Sequence, residues 1–228
     1  MKKLLLISTS VISMALTSFA VSIDTSETGN WLGYMNVFDN AGGAQGGYQF
    51  GGSWGPADLS ATNAGGVVTL TPNTNTYNAA DAYWSNGSGD GNKFLEASYY
   101  LENASGNTNW SGQTLTFSGN VDSASLDSRY GAVAFIKVLD VDAGYAMTAY
   151  ETASITSTGA FSLSYDVAAG NNIAQLGFAM TGINANPDTD WGNVQISGLS
   201  ATAVPEPSTY ALLAGLAAFL FVSIRRRK

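Results

Sequence analysis

The chain alternates between apolar and polar residues in several short segments between residues 21 and 203. The segments 161–167 (FSLSYDV) and 113–118 (QTLTFS) have the two-residue period of a strand that has one face in a core and the other in water. Leu95, Ala97, Tyr99 and Leu101 form one face of another such segment. No stretch in this region keeps a helical period, so the pattern predicts strands.

Two other segments, 131–139 and 173–180, are apolar almost throughout, as strands covered on both faces are. Clusters of glycine, asparagine and serine separate these segments and indicate turns. We predict about nine or ten strands in a single all-β domain, a β-sandwich or jelly roll that spans residues 21–203. The glycine-rich stretch 40–52 is interpreted as a loop or a weak edge strand.

Both ends of the chain are predicted to be targeting segments. Residues 1–20 contain two lysines, an apolar run and a small-residue site, which together indicate a signal peptide cleaved after Ala20 or, as a second choice, after Ser22. Residues 210–224 form an uncharged apolar run, short for a transmembrane helix. Four cations follow and are predicted to stay cytoplasmic, so the domain lies outside the inner membrane: Arg225, Arg226, Arg227 and Lys228.

Pro205, Glu206 and Pro207 precede this apolar run and its terminal cations. In this order, residues 204–228 resemble the PEP-CTERM sorting signal of Gram-negative bacteria. The resemblance implies that secretion machinery and an exosortase, an integral-membrane cysteine protease, are partners of the chain. It also implies an inner-membrane-anchored precursor that is cut near the Pro-Glu-Pro motif and passed to the cell surface or to an exopolysaccharide and biofilm matrix. A simple C-terminal anchor is the alternative.

Composition excludes several classes of function. The chain has no histidine and no cysteine, so it cannot form a Ser-His-Asp or Cys-His catalytic system, a thiolate or imidazole metal site, or a disulfide framework. Its net charge of −8 conceals a strongly acidic middle, in which only Lys93, Arg129 and Lys137 are basic. Nucleic acid is therefore not an expected partner.

The segment Asn36–Asp39, the later Trp54 and the segment Trp191–Ile196 resemble parts of carbohydrate-binding-module jelly rolls. The resemblance implies that acids of the first and last strands hold a structural calcium, here at Asp39. Gly192 stands where that pattern has a second acid, which removes one ligand.

Asp188 and Asp190, two residues apart, are the other candidates for a hard cation. Solvated turn acids are the alternative for this pair. No other cofactor is expected.

Tyr83, Trp84 and Trp110 lie among asparagine, glycine and serine. Exposed rings beside amide groups are suited to stacking on sugars, so these residues are predicted to bind carbohydrate; the alternative is that they fill the core. We interpret the chain as an exported, non-catalytic surface or matrix protein that binds polysaccharide. A purely structural or adhesion protein and a glycoside hydrolase, which needs two placed carboxylates, remain open.

Overall fold

A computed structural model describes residues 20–26, 31–103 and 110–205 and positions 215, 217 and 218. The predicted signal peptide up to residue 19 and most of the predicted tail lie outside these residues. Within the described part, no helix is long and apolar enough to cross a membrane. Twelve strands are present there: β1 Val21–Ile23, β2 Leu32–Asn40, β3 Gln45–Ser53, β4 Ala61–Ala64, β5 Val67–Leu70, β6 Lys93–Glu102, β7 Gln113–Ala124, β8 Gly131–Asp140, β9 Ala146–Ser154, β10 Gly159–Val167, β11 Asn172–Ile183 and β12 Val194–Pro205.

The strands form two six-stranded antiparallel sheets, which confirms the predicted β-sandwich. The first sheet has the order β10-β7-β12-β5-β4, with β1 added beside β12. The second sheet has the order β3-β2-β6-β11-β8-β9. Strands that are distant in sequence are neighbours in both sheets, as in jelly-roll folds.

The core lies between the two sheets and is built by the alternation seen in the sequence. The inner face of β6 consists of Leu95, Ala97, Tyr99 and Leu101, as predicted. Phe178 of β11 and Phe117 of β7 are fully buried and lie 5.4 Å apart, measured between ring centroids, where the sheets meet. Aromatic pairs at this separation add to the stabilisation gained from burial.

The sequence pattern missed β1, β4 and β9 and left β3 open. The glycine-rich stretch 40–52 contains most of β3, an edge strand of the second sheet, which confirms the edge-strand alternative. β9, at the opposite edge, was not predicted. It is exposed along most of its length and therefore lacks the apolar face that a half-buried strand shows.

The last strand continues beyond the predicted domain boundary at residue 203. β12 ends at Pro205, which is paired in register with Gln113 of β7. On its other side, the end of β12 pairs with β1, so that Val21 lies opposite Ala203. The first strand of the domain therefore begins beside the point where the last strand ends. Residue 20 consequently lies next to the start of the Pro-Glu-Pro motif.

This pairing predicts where the mature chain begins. Cleavage after Ala20 leaves β1 whole, whereas cleavage after Ser22 would remove two of its three residues and separate Ile23, which packs on the core, from the rest of its strand. We expect Val21 to be the first residue of the exported protein. N-terminal sequencing or intact mass of protein from the native host measures this, and a chain beginning at Ile23 would contradict it.

Candidate functional site

The side of the second sheet that points away from the core carries the candidate site. Strand alternation directs a set of aromatic, acidic and amide side chains to this side, which we call the outer face. Its members come from β2, β6, β8, β9 and β11 and are Tyr34, Asn36, Glu96, Tyr100, Glu102, Phe135, Lys137, Tyr150 and Gln175.

Aromatic rings run across the outer face from strand to strand. The ring centroids of Tyr100 and Phe135 lie 6.5 Å apart, and those of Phe135 and Tyr150 lie 5.7 Å apart. Tyr34 packs on the same cluster from β2. Tyr150 is 41% exposed, whereas Phe135 is fully buried. Buried rings therefore support an exposed aromatic surface that can stack on a flat ligand.

Small residues make this close ring packing possible. Gly177 of β11 lies between Tyr100 and Phe135 in the strand register. A Cβ atom added to Gly177 would strike the carbonyl oxygen of Tyr99 and lie 2.6 Å from the Cα atom of Tyr100. Ser98 and Ala179, paired one step along, are also small and buried. The floor of the outer face is consequently backbone and short side chains.

Two glutamates on β6 are held by amides of the neighbouring strands. Nδ2 of Asn36 donates a hydrogen bond of 3.2 Å to Oε1 of Glu96, and Nε2 of Gln175 donates to Oε2 of Glu102. Gln175 is only 5% exposed, and its Oε1 atom has no hydrogen-bond partner among the described residues. A buried amide oxygen without a donor carries an energetic cost.

A second group of polar side-chain atoms surrounds Gly51 of the edge strand β3. A Cβ atom at Gly51 would lie 2.8 Å from the hydroxyl of Tyr34 and 3.0 Å from the hydroxyl of Tyr48, with Oδ1 of Asn36 closer still. Two tyrosine hydroxyls and an amide oxygen therefore meet above a residue that has no side chain. These three polar atoms leave no room at this position for a side chain.

Lys137 is the cation of the outer face. Its Nζ atom lies 5.3 Å from the ring centroid of Phe135 and 5.9 Å from that of Tyr100. Burial lowers the pKa of Lys137, while the charges of Glu96 and Glu102 act in the opposite direction. The ammonium group is thus shared between two rings and two carboxylates.

The tyrosine hydroxyls of the outer face stay protonated far above neutral pH. Burial, reinforced by Glu102 and Tyr34, raises the pKa of Tyr100 to about 12. Burial, reinforced by Glu96, does the same for Tyr150. Both hydroxyls therefore remain neutral and can donate or accept hydrogen bonds.

The predicted carbohydrate-binding residues do not lie on the outer face. Trp110 is 2% exposed and packs in the core, so the prediction that it is an exposed loop residue was wrong. Two residues separate it from the start of β7, and its ring packs among the buried residues of the core. The polar flanking sequence did not indicate that Trp110 is buried, because the residue lies just before the start of β7.

Tyr83 and Trp84 lie together in the long loop between β5 and β6, with ring centroids 4.9 Å apart. Nζ of Lys93 lies 4.0 Å from the ring centroid of Tyr83, and Phe50 packs edge-on against Trp84. A cavity of about 480 Å³ opens beside this loop, but none of the described residues that line it is aromatic. The role predicted for this pair stays a prediction.

The predicted cation ligands are found in two places with different partners. Asp39 accepts a 2.8 Å hydrogen bond from Nζ of Lys93, which is itself buried, and another from Gln49. Asp188 and Asp190 lie in the exposed loop before β12, where Asp190 accepts a hydrogen bond from the backbone N–H of Gly192. Within the described ranges, no three acidic residues come close enough together to hold a metal ion.

Sequence reasoning missed the outer face, although the signal was present. Lys137 and Gln175 interrupt two otherwise apolar segments, and the structure pairs them in register. On β6, the residues between the predicted inner positions are Glu96, Ser98 and Tyr100, which is an acidic and aromatic face. Each polar residue inside an apolar strand was a sign that the second side of that strand carries polar groups.

Comparison with known protein families identifies the tail. Residues 203–228 match the PEP-CTERM protein-sorting motif. The protein is thus a β-sandwich protein with a sorting tail. That tail implies an exported, membrane-anchored precursor that an exosortase processes.

Two solved structures resemble the fold at low identity. The CBM22-1 xylan-binding domain of Xyn10C from Paenibacillus barcinonensis is 12% identical, with a TM-score of 0.32, over 82% of this chain and 94% of that one. The Stig cyclase Fisc from Fischerella sp. TAU is 11% identical, with a TM-score of 0.30, over 85% of this chain and 92% of that one. No curated protein matches the sequence.

The floor of the outer face generates a prediction about stability. Gly177→Ala should lower the free energy of unfolding by about 1–3 kcal/mol, because its methyl group meets backbone atoms that cannot rotate away. Gly52→Ala is the matched control, since its Cβ would have its nearest neighbour at 3.9 Å, and it should change stability by no more than about 0.5 kcal/mol. Urea unfolding of the full chain measures both, and equal values would contradict the proposed close packing.

Proposed function

We propose that the protein is an exported, non-catalytic surface or matrix protein that binds polysaccharide through the outer face of its second sheet. The observation that carries the proposal is the set of aromatic rings, exposed at Tyr48 and Tyr150 and supported by buried rings, beside the carboxylates of Glu96 and Glu102. Sugar rings have apolar faces that stack on aromatic side chains and hydroxyls that donate to carboxylates.

The dimensions of the outer face favour a chain over a single sugar. Six strands at a spacing of about 4.8 Å make the sheet about 24 Å wide, and buried rings lie between the exposed tyrosines of its two edges. Tyr48 and Tyr150 mark its two sides, on edge strands β3 and β9. Several consecutive sugar rings can therefore contact the face at once.

The placement of the carboxylates favours binding over hydrolysis. Glu96 and Glu102 lie six residues apart on one extended strand, so their Cα atoms are about 20 Å apart. The paired acids of a glycosidase bring their carboxyl groups to within about 5–10 Å of each other. Each glutamate here accepts a hydrogen bond from an amide, which suits a residue that positions a hydroxyl.

The sorting tail supplies the route by which such a protein reaches polysaccharide. A chain that carries this motif is made as a membrane-anchored precursor and processed outside the cytoplasm. We place the mature protein at the cell surface or in the exopolysaccharide matrix of a Gram-negative bacterium. There, the outer face would hold the protein to the polymer.

Polysaccharide binding is tested with the full chain, purified in a non-glycosidic detergent and challenged with a panel of immobilised polysaccharides. Tyr150→Ala and Tyr34→Ala should each weaken binding about tenfold, which is the usual effect of removing an aromatic anchor. Tyr145→Ala, an exposed tyrosine in the turn between β8 and β9, is the matched control and should bind as the unchanged protein does.

The same panel separates the outer face from the loop site. If Tyr83→Ala loses binding and Tyr150→Ala does not, the binding site lies in the loop that the sequence indicated and not on the outer face. If the unchanged protein retains no polysaccharide, a structural role without a sugar site is favoured. Circular dichroism of each variant checks that the fold is kept.

The sorting step is tested in the native host. Replacing both Pro205 and Pro207 by alanine should block removal of the tail, because proline keeps the motif extended and accessible to a protease. Pro187→Ala, in the exposed loop before β12, is the control and should be processed normally. Mobility on a gel and intact mass report the outcome, and unchanged processing of the double variant would contradict the proposed cleavage region.

A further inference from the structure

We infer that the outer face selects polysaccharides without anionic groups, and that Glu96 and Glu102 are the residues that exclude uronate, sulfate and phosphate. This inference rests on the proposed function, because it concerns what the same face accepts. It adds the charge class of the ligand and names the residues that determine it.

The first argument is that every cation of the acidic middle already faces acids. Nζ of Lys93 lies 2.8 Å from Asp39, and the guanidinium of Arg129 lies 2.9 Å from Asp127 and 3.2 Å from Asp90. These are the only two basic residues besides Lys137 between residues 21 and 204. A polyanion finds no unneutralised positive group on this part of the chain.

The second argument is the local balance of charge. On the outer face, Lys137 lies in the fields of both Glu96 and Glu102, so two negative charges meet one positive charge. Its ammonium group is also covered by the rings of Phe135 and Tyr100. An incoming carboxylate or sulfate would therefore meet a net negative face, and like charges brought together at an interface weaken binding.

The third argument is the balance of hydrogen-bonding groups. The amide N–H groups of Asn36 and Gln175 already donate to the two glutamates. The carboxylates of Glu96 and Glu102 can accept further hydrogen bonds but cannot donate any. Sugar hydroxyls can donate to them, whereas ligand carboxylates and sulfates only accept.

The inference is tested with chemically matched ligands. The polymer retained best by the unchanged protein is carboxymethylated in one sample and hydroxyethylated to the same degree in another, so that the added bulk is similar and only the charge differs. We expect the carboxymethylated form to bind at least about tenfold more weakly at low salt. Because mobile ions screen charge, the difference should shrink as ionic strength rises.

A charge-removing variant tests the named residues. The double variant Glu96→Gln, Glu102→Gln keeps side-chain size and leaves Lys137 as the charge of the outer face. It should bring the affinity for the carboxymethylated polymer to within about threefold of that for the hydroxyethylated polymer. Adding Lys137→Met to the double variant should remove that gain.

The outcomes separate this inference from the proposed function. Equal binding of the two modified polymers by the unchanged protein, at all salt concentrations, would overturn the charge selection and leave polysaccharide binding intact. A persistent tenfold difference in the folded double variant would show that Glu96 and Glu102 are not responsible. Retention of no polymer at all would overturn both proposals together.

Discussion

The close approach of β6 and β11 at Gly177 is the constraint on which the outer face depends. At this position, a side chain of any size would collide with the backbone of the neighbouring strand. Its absence lets Tyr100 and Phe135 pack across β11 on one side of the sheet while Phe178 fills the core on the other. A single glycine therefore joins the stability of the sandwich to the shape of its candidate site.

Burial of both sides explains why the central strands β8 and β11 are largely apolar along their whole length. Their inner residues build the core, and their outer residues bury one another beneath Tyr150 and Tyr34. In most antiparallel sandwiches the second side of a sheet faces water and is polar. Here the polar groups that do occur on the outer side, Lys137 and Gln175 among them, lie at paired positions and not at random.

The fold was largely predictable from the sequence, because a two-residue period shows directly which residues of a strand face the core. The inner face of β6 was predicted residue by residue. The site was not predictable in the same way, since it is formed by register between strands that are distant in sequence. Gln175 lies beside Glu102 only because β11 pairs with β6, and a pattern within one strand contains no information about that pairing.

The position of β12 places one end of the first sheet next to the start of the sorting tail. Pro205 is held in the first sheet opposite Gln113, and four residues separate it from the apolar run that begins at Tyr210. Fully extended, such a stretch spans about 15 Å. In an anchored precursor, this end of the sheet would therefore lie close to the bilayer.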